Sequence, residues 1–547
     1  MKQVRQIFNH FIHRHPRLFN LKLSVKYIFQ VRSKIKRQLT NTNHIRDLKT
    51  PFSGINILIP LIETSHYQYL QLLILGKALE LRGAHIKVLV CDEILEACEI
   101  KSSNNSTYPD NCVNCRFNRK HILPLYGLDV ITLSSLISDR EMSESIEMAK
   151  SISRSSDSTW SYKGYDISRT VSESITRYYY GGSAPSESDN EQLIRRNIHT
   201  SILGFIAAKK INDEFKPNVI LNNMNVYSAW APYTQYYGNR KDVRISTISI
   251  NQFNYRTIIF NINELYLSNK RYKRYLSSRD DSTLNETENK ELNNFVNCRV
   301  RGESEIFRDL GFFDDNNHEK SFKTRERRNI FLFSNIFWDV GLSECDNLYS
   351  SVLDWVIDTI NIVKDLNDVD LYIKTHPGEL YDTAKSKKGV ESYIREQYPT
   401  LPNNVFLINP QDKINTYSLF NKIDIGVVFN GTLGLEMLLH GIPVIITGQA
   451  PFSNLRLVNE PRSFDEYRSL LLGSRPILEP EIERIRMFAY FYFIKSCIPW
   501  KLTESAYANN FKGYNFKTLN ELDPGVDPYL DHLCNCIIYD DIVIENW

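Results

Sequence analysis

Short apolar runs alternate with longer amphipathic stretches along most of this chain. In the first half, apolar runs at 54–60, 85–91, 218–223 and 244–250 predict strands, with helices at 67–81 and from about residue 226. A second series begins near residue 329 and predicts strands at 330–334, 369–374, 405–408, 425–429 and 444–446. Strands separated by helices form parallel sheets that are covered on both faces. The pattern therefore predicts an α/β fold with two Rossmann-like parallel-sheet domains that face a cleft, where ligands bind at the carboxyl ends of strands.

Polar stretches predict where the domains begin and end. We expect a basic amphipathic tail at 1–50, an N-terminal Rossmann-like domain at 51–300 and a C-terminal Rossmann-like domain at 325–480. The Ser-rich stretch 100–215 predicts a helical insertion in the N-terminal domain, and 276–291 predicts a polar linker or exposed loop. The last segment, 481–547, is expected to be helical and to pack back on the N-terminal domain.

The segment around Asn430, Gly431 and Thr432 carries the strongest chemical signal. It follows an apolar strand and opens a helix, so backbone N–H groups at Gly431, Thr432 and Gly434 are expected to attract phosphate. Glu436 lies about one helical turn further, where its carboxylate could accept hydrogen bonds from ribose hydroxyls. An ordinary glycine turn followed by a surface glutamate would have the same sequence pattern, so both interpretations stay open here.

Polar side chains also follow the first two strands of this series. Lys374 and His376 come at the end of the strand 369–374, and both can contact an anionic leaving group. A histidine that caps a helix beside an exposed lysine is the alternative; the Gly431 turn two βα units downstream in the same sheet favours the functional interpretation. Ser334 and Asn335 follow the first strand and could hold a nucleotide or a sugar.

The first strand of the N-terminal half is followed by His66. A histidine in this first βα loop faces the predicted cleft and could act as general base toward an acceptor hydroxyl. A histidine at a helix start, with Ser65 as the cap, explains the same residues equally well.

Four cysteines fall close together, at positions 91, 98, 112 and 115. Cys112 and Cys115 have zinc-ligand spacing, but the other gaps match no standard finger, so buried thiols are favoured over a structural metal. Asp368 and Asp370 resemble the Asp-x-Asp of metal-dependent sugar transferases, yet they stand at the start of their strand, on the edge opposite the predicted site. We therefore expect no bound metal.

Charge is distributed unevenly along the chain. Residues 1–50 hold 12 Lys and Arg against one Asp, a net charge of +11, so the remaining residues carry −9 of the total of +2. Basic residues mixed with large apolar ones suit an anionic membrane surface, RNA or a solvated tail. A membrane surface is favoured because no nucleic-acid motif is found elsewhere. The sequence shows no secretory signal and no apolar run near the ~20 residues that span a bilayer. Nine cysteines, an odd number, do not suggest a disulfide framework. These features predict a cytoplasmic protein.

Four segments, 331–339, 371–379, 430–448 and 490–500, resemble the capsule polysaccharide biosynthesis glycosyltransferases, a GT-B group that includes the Kdo transferases of capsule assembly. The resemblance implies a metal-independent GT-B glycosyltransferase. The basic tail adds the expectation that the protein is peripheral on the inner face of the cell membrane, close to a lipid-linked acceptor. It would move a sugar from a nucleotide-sugar, bound by the C-terminal domain, to a surface polysaccharide or lipid-linked acceptor on the N-terminal domain. It places His376 against the donor phosphate and Gly431, Thr432 and Glu436 around the nucleotide, with no cofactor besides the donor.

One departure from that family affects the donor. Relatives often carry a Tyr and a Lys-Gly-Phe where this chain reads Gly448-Gln-Ala-Pro-Phe452, so neither Kdo nor its CMP nucleotide is carried over. Two other functions stay open: a nucleotide-sugar 2-epimerase of the same fold, whose extra acid/base carboxylates are not identified, and a non-catalytic partner in polysaccharide assembly.

Overall fold

The computed structural model describes residues 33–40, 50–64, 68–98, 112–153, 159–181, 186–250, 257–260, 268–301, 303, 326–338, 348–380, 386–412, 414–503 and 514–539. Two mainly parallel sheets with helices on both faces organise these residues. The predicted fold class, α/β with two Rossmann-like parallel sheets, is confirmed. None of the helices formed by the described residues combines the length and the hydropathy that crossing a membrane requires.

The first sheet is built from the N-terminal half and one strand from near the end of the chain. Its order is β14-β8-β7-β6-β1-β2-β3, and the pairs between β7 and β3 are parallel. β8 pairs antiparallel with both β7 and β14. The strands are β1 (Asn56–Leu61), β2 (His85–Val90), β3 (Asp129–Thr132), β6 (Val219–Asn222), β7 (Arg244–Ile250), β8 (Thr257–Phe260) and β14 (Cys497–Pro499).

The stretch between β3 and β6 is mainly helical, as expected for an insertion. It also holds a two-stranded hairpin of β4 (Ser161–Tyr162) and β5 (Tyr165–Asp166). The helices of this half are α1 (Ser33–Thr40), α2 (Gln68–Leu81), α3 (Val113–His121), α4 (Leu133–Leu136), α5 (Asp139–Ile152), α6 (Ser168–Tyr179), α7 (Glu187–Phe215) and α8 (Tyr227–Gly238).

Part of the predicted basic tail is packed. Ile35 and Leu39 of α1 are buried in the core of the first sheet, and the side-chain N–H of Gln38 donates to the carbonyl of Tyr514 at 2.9 Å. An amphipathic helix can bury its apolar face while its basic residues stay in water. The segment 1–50 is therefore not a uniform solvated tail, and its residues 1–32 lie outside the described residues.

The second sheet has five parallel strands in the order β11-β10-β9-β12-β13. They are β9 (Arg328–Phe333), β10 (Val369–Lys374), β11 (Val405–Ile408), β12 (Ile425–Val428) and β13 (Val444–Ile446). Helices α11 (Val352–Val363), α12 (Val390–Gln397), α13 (Thr432–Leu439) and α14 (Phe464–Leu472) cover it, with helical turns at Pro377–Leu380, Pro410–Asp412 and Thr416–Lys422. The strands are nearly continuous apolar runs because both faces are covered.

Two helices before the second sheet join its core. α9 (Ser268–Ser277) and α10 (Glu286–Val300) bury Tyr272, Tyr275 and Leu292 in the same cluster as Phe333 of β9. This corrects the expectation that residues up to 300 pack with the N-terminal sheet, and that 276–291 is a loop throughout. A few apolar residues, spaced along one face of a mostly polar helix, hardly change the mean hydropathy of the stretch. The composition therefore did not indicate that these helices are packed.

The chain returns to the first sheet at its end. α15 (Ile482–Tyr490) packs in the second core, β14 pairs with β8, and α16 (Pro528–Tyr539) packs in the core of the first sheet. The buried guanidinium of Arg82, at the end of α2, forms an ion pair with Asp531 of α16. The expected domain boundaries stay a prediction, but both halves share this last segment.

Candidate functional site

The candidate site lies where the carboxyl ends of the second sheet open. β9 has β10 on one side and β12 on the other, so successive strands are added in opposite directions from β9. In a sheet of this order, ligands bind outside the carboxyl ends at that switch point. The ends and following loops of β9, β10 and β12 carry most of the residues predicted for the site: Ser334, Asn335, Lys374, His376, Asn430, Gly431 and Thr432.

A hydrogen bond joins the two loops at the switch point. The side-chain amide N–H of Asn335 donates to the side-chain oxygen of Asn430 at 2.9 Å. On the other side of β9, the backbone N–H of Ser334 donates to the carbonyl of Lys374 at 3.0 Å. The buried hydroxyl of Ser334 has no hydrogen-bond partner among the described residues. A buried hydroxyl without a partner is unfavourable, so this position suits a polar ligand or water.

Gly431 gives the turn before α13 a backbone that only glycine adopts readily. Its φ of 100° and ψ of 169° lie in a region that is essentially closed to other residues. A Cβ added there would have no atom within 4 Å, so close packing is not the reason for the glycine. The turn faces open space at the sheet edge.

The N-terminus of α13 also lacks a side-chain cap. Ser351, Ser463 and Asn285 cap α11, α14 and α10 by accepting from first-turn N–H groups. Gly431 stands at the equivalent position of α13 and has no side chain that could accept, and none caps this helix in the described part of the chain. First-turn N–H groups without a cap carry partial positive charge and bind anions. Thr432, at the first helical position, is half-buried beside them.

Lys374 adds a cation at the same edge. The side chain is the last of β10 and only 5% of it is exposed. Burial lowers the pKa of Lys374 to about 8, and the charge of Asp412, in the turn after β11, opposes this shift. The ammonium is therefore mostly charged at pH 7 but poorly hydrated, a state in which an added phosphate is attracted strongly.

His376 is neutral and has a fixed tautomer. The backbone N–H of Gly378 donates to its Nδ1 at 3.0 Å, so the neutral ring carries its proton on Nε2. Burial and the neighbouring charge of Lys374 lower the pKa of His376 to about 4. The ring can thus donate an N–H hydrogen bond at pH 7 without bearing charge. It lies two strands from Thr432, about 10 Å at the usual strand spacing.

Gly434 and Glu436 lie on the packed side of α13. A Cβ at Gly434 would approach Phe452 at 3.0 Å and Val428 at 3.2 Å, so this glycine allows the helix to pack closely on the sheet. The carboxylate of Glu436 forms a buried ion pair with Arg299 of α10 at 2.7 Å and accepts from the hydroxyl of Tyr417. It is not presented to a ligand here, and its expected contact with ribose stays a prediction.

Three polar residues at these strand ends were not predicted. The hydroxyl of Thr447, after β13, and the side-chain oxygen of Asn409, after β11, are buried and have no hydrogen-bond partner within the described residues. Glu379, in the turn after His376, is buried, and this raises its pKa to about 7. The signal available in the sequence was position alone, because each residue is among the first polar ones after an apolar strand.

Other predicted positions lie elsewhere. His66 lies outside the described residues. No group of three or more His, Cys, Asp or Glu side chains in the described part of the chain is arranged to hold a metal ion. The cysteines at 91, 98, 112 and 115 form no disulfides. Asp370 is buried near the start of β10, at the edge opposite the site, 3.5 Å from Arg327.

Comparison with known proteins supports the resemblance at this site. Residues 318–462 match the family model described as capsule polysaccharide biosynthesis protein, and this range contains every described site residue named above. The resemblance to that family is thus confirmed over this part of the chain. No curated protein matches the sequence.

Solved structures with some similarity include two Kdo transferases and one epimerase. The beta Kdo 2,4 transferase of Thermosulfurimonas dismutans KpsC is 12% identical over 56% of this chain and 87% of its own, with a TM-score of 0.35. Its beta Kdo 2,7 transferase is 11% identical over 52% and 79%, with a TM-score of 0.31. UDP-GlcNAc 2-epimerase from Neisseria meningitidis is 10% identical over 81% and 98%, with a TM-score of 0.22. Since these scores are low, the fold assignment depends on the sheets themselves.

Proposed function

We propose that this chain is a glycosyltransferase that moves a sugar from a nucleotide-sugar to a capsular polysaccharide or a lipid-linked glycan acceptor. The observation that carries the proposal is the convergence of Lys374, His376 and the Gly431 turn on one edge of a Rossmann-like sheet. That edge lies within the part of the chain that matches the capsule polysaccharide family. The donor sugar, the nucleotide and the linkage are not specified by these residues.

The three groups suit the phosphate of a nucleotide donor. The first-turn N–H groups of α13 can donate to phosphate oxygens, and Lys374 supplies a positive charge at the same edge of the sheet. His376 can add a neutral N–H donor through Nε2. Ser334 and Asn335 follow β9, the strand between β10 and β12, so we expect their polar side chains to contact the same ligand.

The chemistry asked of this site is stabilisation of a leaving group. When an acceptor hydroxyl attacks the anomeric carbon, the bond from that carbon to the phosphate oxygen breaks and the phosphate keeps the electron pair. Lys374, His376 and the helix N-terminus would stabilise the charge that grows on that oxygen. The hydroxyl proton needs a base, and His66, which follows β1 in the sequence, remains our candidate.

The first test is a nucleotide screen by thermal shift with CMP, UDP, GDP and TDP. We expect one of them to raise the melting temperature, and we expect Gly431→Ala to weaken that effect. Turnover is then measured with a donor that carries this nucleotide. His376→Ala should lower turnover about 10- to 150-fold, the effect of losing one charge-assisted contact of 1.5–3 kcal/mol. Wild-type turnover in a folded His376→Ala protein would remove His376 from the mechanism.

An incubation without acceptor, together with the nucleotide screen, separates the alternatives. Incubation with UDP-N-acetylhexosamine and no acceptor should leave the sugar unchanged, and appearance of its 2-epimer would instead identify an epimerase. If no nucleotide stabilises the protein, a non-catalytic role in polysaccharide assembly becomes the better explanation.

A further inference from the structure

A second contact reaches this site from the other half of the chain. α6 belongs to the helical stretch between β3 and β6 of the first sheet, and it ends at Tyr180 and Gly181. Both residues have left-handed backbones, with φ of 46° and 80°. This turn projects against the loops that follow β9 and β10 of the second sheet.

Aromatic and cationic side chains of the α6 turn pack against the loop after β9. Trp338 packs edge-on against Tyr180 with ring centroids 4.8 Å apart, and the guanidinium of Arg177 lies 4.8 Å from the Trp338 ring. Only 2% of Trp338 is exposed. This tryptophan lies three residues after Asn335, so these contacts restrain the loop that carries Ser334 and Asn335.

Three hydrogen bonds, one of them between backbone groups, hold the segment downstream of His376. The N–H of Lys387 donates to the carbonyl of Tyr180 at 2.9 Å, and the hydroxyl of Tyr393 donates to the carbonyl of Gly181 at 2.9 Å. The indole N–H of Trp338 donates to the hydroxyl of Ser386 at 2.7 Å, so both loops meet at this point.

Glu379 carries this restraint back to His376. The N–H of Ser386 donates to the carbonyl of Glu379 at 3.0 Å, and the N–H of Val390 donates to its carboxylate at 3.2 Å. The N–H of Glu379 in turn donates to the carbonyl of His376 at 3.1 Å. A continuous set of contacts thus runs from the α6 turn to both loops of the site.

We propose that residues 177–181 are a positioning element that holds the Ser334 and His376 loops in their binding geometry. The effect on catalysis rests on the proposed function; the effect on loop order does not. Gly181 is required because a Cβ there would lie 2.5 Å from the ring of Phe337 and 2.9 Å from the carbonyl of Lys388. The helical insertion is therefore part of the site of the other sheet.

Hydrogen exchange of the full chain without nucleotide tests the proposal. In Arg177→Met and Gly181→Val, we expect amide exchange to rise about tenfold or more in peptides that cover 334–338, 374–380 and 386–393. Arg177→Lys keeps a cation over Trp338 and should restore most of the protection. The control is Arg140→Met, which removes an exposed helix-surface ion pair with Glu144 and should leave these peptides unchanged.

Two exchange patterns would overturn the proposal. If only 386–393 loosens, the contact is packing that does not reach the site. If both sheets exchange faster to the same extent, the contact stabilises the fold as a whole. Arg177→Met decides the question should Gly181→Val fail to fold.

Affinity for the stabilising nucleotide of the panel gives the second readout. We expect Arg177→Met to weaken it about tenfold, or 1.4 kcal/mol, and Arg177→Lys to recover it. Loop exchange that rises with unchanged affinity would overturn the positioning role. A wild type that binds no nucleotide would remove the proposed function, while the exchange result would still decide whether the turn orders the loops.

Discussion

Lys374 illustrates how burial changes the charge state of a lysine near neutral pH. Its pKa is lowered to about 8 by burial. Between pH 7 and 9 a phosphate monoester is already roughly nine-tenths or more doubly ionised, since its second pKa is about 6. Any change in phosphate affinity over this range therefore reports mainly on the protein.

We predict that nucleotide affinity falls as pH rises from 7 to 9, because Lys374 loses its proton near pH 8. Lys374→Met should lower affinity at pH 7 about 10- to 150-fold and should abolish the dependence on pH. Titration calorimetry at both pH values measures this. The control is Lys364→Met, at the end of α11 on the opposite side of the sheet; equal wild-type affinity at pH 7 and 9 would exclude the Lys374 contact.

Two glycines at opposite ends of α13 separate backbone strain from ligand binding. Gly431 and Gly441 have φ of 100° and 75°, and a Cβ would meet no atom within 4 Å at either position. Alanine should therefore cost about 1–3 kcal/mol of unfolding free energy at both, from strain alone. We predict that only Gly431→Ala also weakens nucleotide binding. Denaturant unfolding and calorimetry measure the two effects, and equal losses of affinity would contradict an anion site at the Gly431 turn.

The strand-end residues could be predicted because their signal is local. Lys374, His376 and Asn430 each lie between an apolar run and the Pro or Gly at which the next turn begins. The environment of Glu436 could not be predicted in this way, because its partner Arg299 is 137 positions away on a helix that was expected to pack elsewhere. Burial and long-range ion pairing depend on tertiary packing, which local patterns do not report.

At the scale of elements, α12 depends on a carboxyl group from the His376 turn. Its N-terminal residue is preceded by Gly389, which provides no cap, and the carboxylate of Glu379 accepts from the N–H of Val390 instead. Burial raises the pKa of Glu379 to about 7 from its ordinary value of 4.5. The folded state therefore holds this proton over a range in which the unfolded chain has lost it.

The sign of the pH effect follows from that difference. Stability from Glu379 is present below pH 4.5 and is lost as pH rises through 7. Glu379→Gln keeps an oxygen acceptor for Val390 but does not ionise. We predict that this variant gains about 1–3 kcal/mol over wild type between pH 5 and pH 8. Urea unfolding at both pH values tests this, with the exposed Glu396→Gln as control; a difference that stays constant with pH would contradict it.

Elements with a clear pattern of apolar residues were predicted well, and elements without such a pattern were not. The five strands of the second sheet lie where their apolar runs predicted them. α9 and α10 were expected to belong to the other half, because their few apolar residues, such as Tyr272 and Leu292, are diluted by charged neighbours. Which sheet a helix covers is decided by its contacts, and composition does not contain that information.

At the scale of the whole molecule, both sheets repeat one strand order. The parallel part of the first sheet has the order β3-β2-β1-β6-β7, and the second sheet has the order β11-β10-β9-β12-β13. When the strands of each parallel sheet are numbered one to five along the chain, both orders become 3-2-1-4-5. Each sheet therefore has a switch point beside its first strand. The contact at residues 177–181 joins the insertion of one half to the site of the other. One half can thus contact the candidate site of the other without sharing a strand of that sheet.

The basic N-terminal segment is predicted to bind an anionic membrane surface. Residues 1–32 carry seven Lys and Arg and no acid, whereas Ile35 and Leu39 of α1 belong to the core of the first sheet. Deleting residues 1–50 would therefore damage the fold, and a deletion of 1–32 is the cleaner test. Each basic residue near an anionic bilayer contributes about 1 kcal/mol, and salt screens this attraction.

We predict that removing residues 1–32 strongly reduces cosedimentation with vesicles containing anionic phosphatidylserine and leaves nucleotide binding unchanged. Wild-type binding should also fall as salt is raised and should be weak on neutral phosphatidylcholine vesicles, because the attraction is electrostatic. A variant with these basic residues changed to Gln keeps the apolar ones and separates charge from hydrophobic insertion. If the truncated protein still binds anionic vesicles as wild type does, another surface makes the contact and the segment is not a membrane anchor.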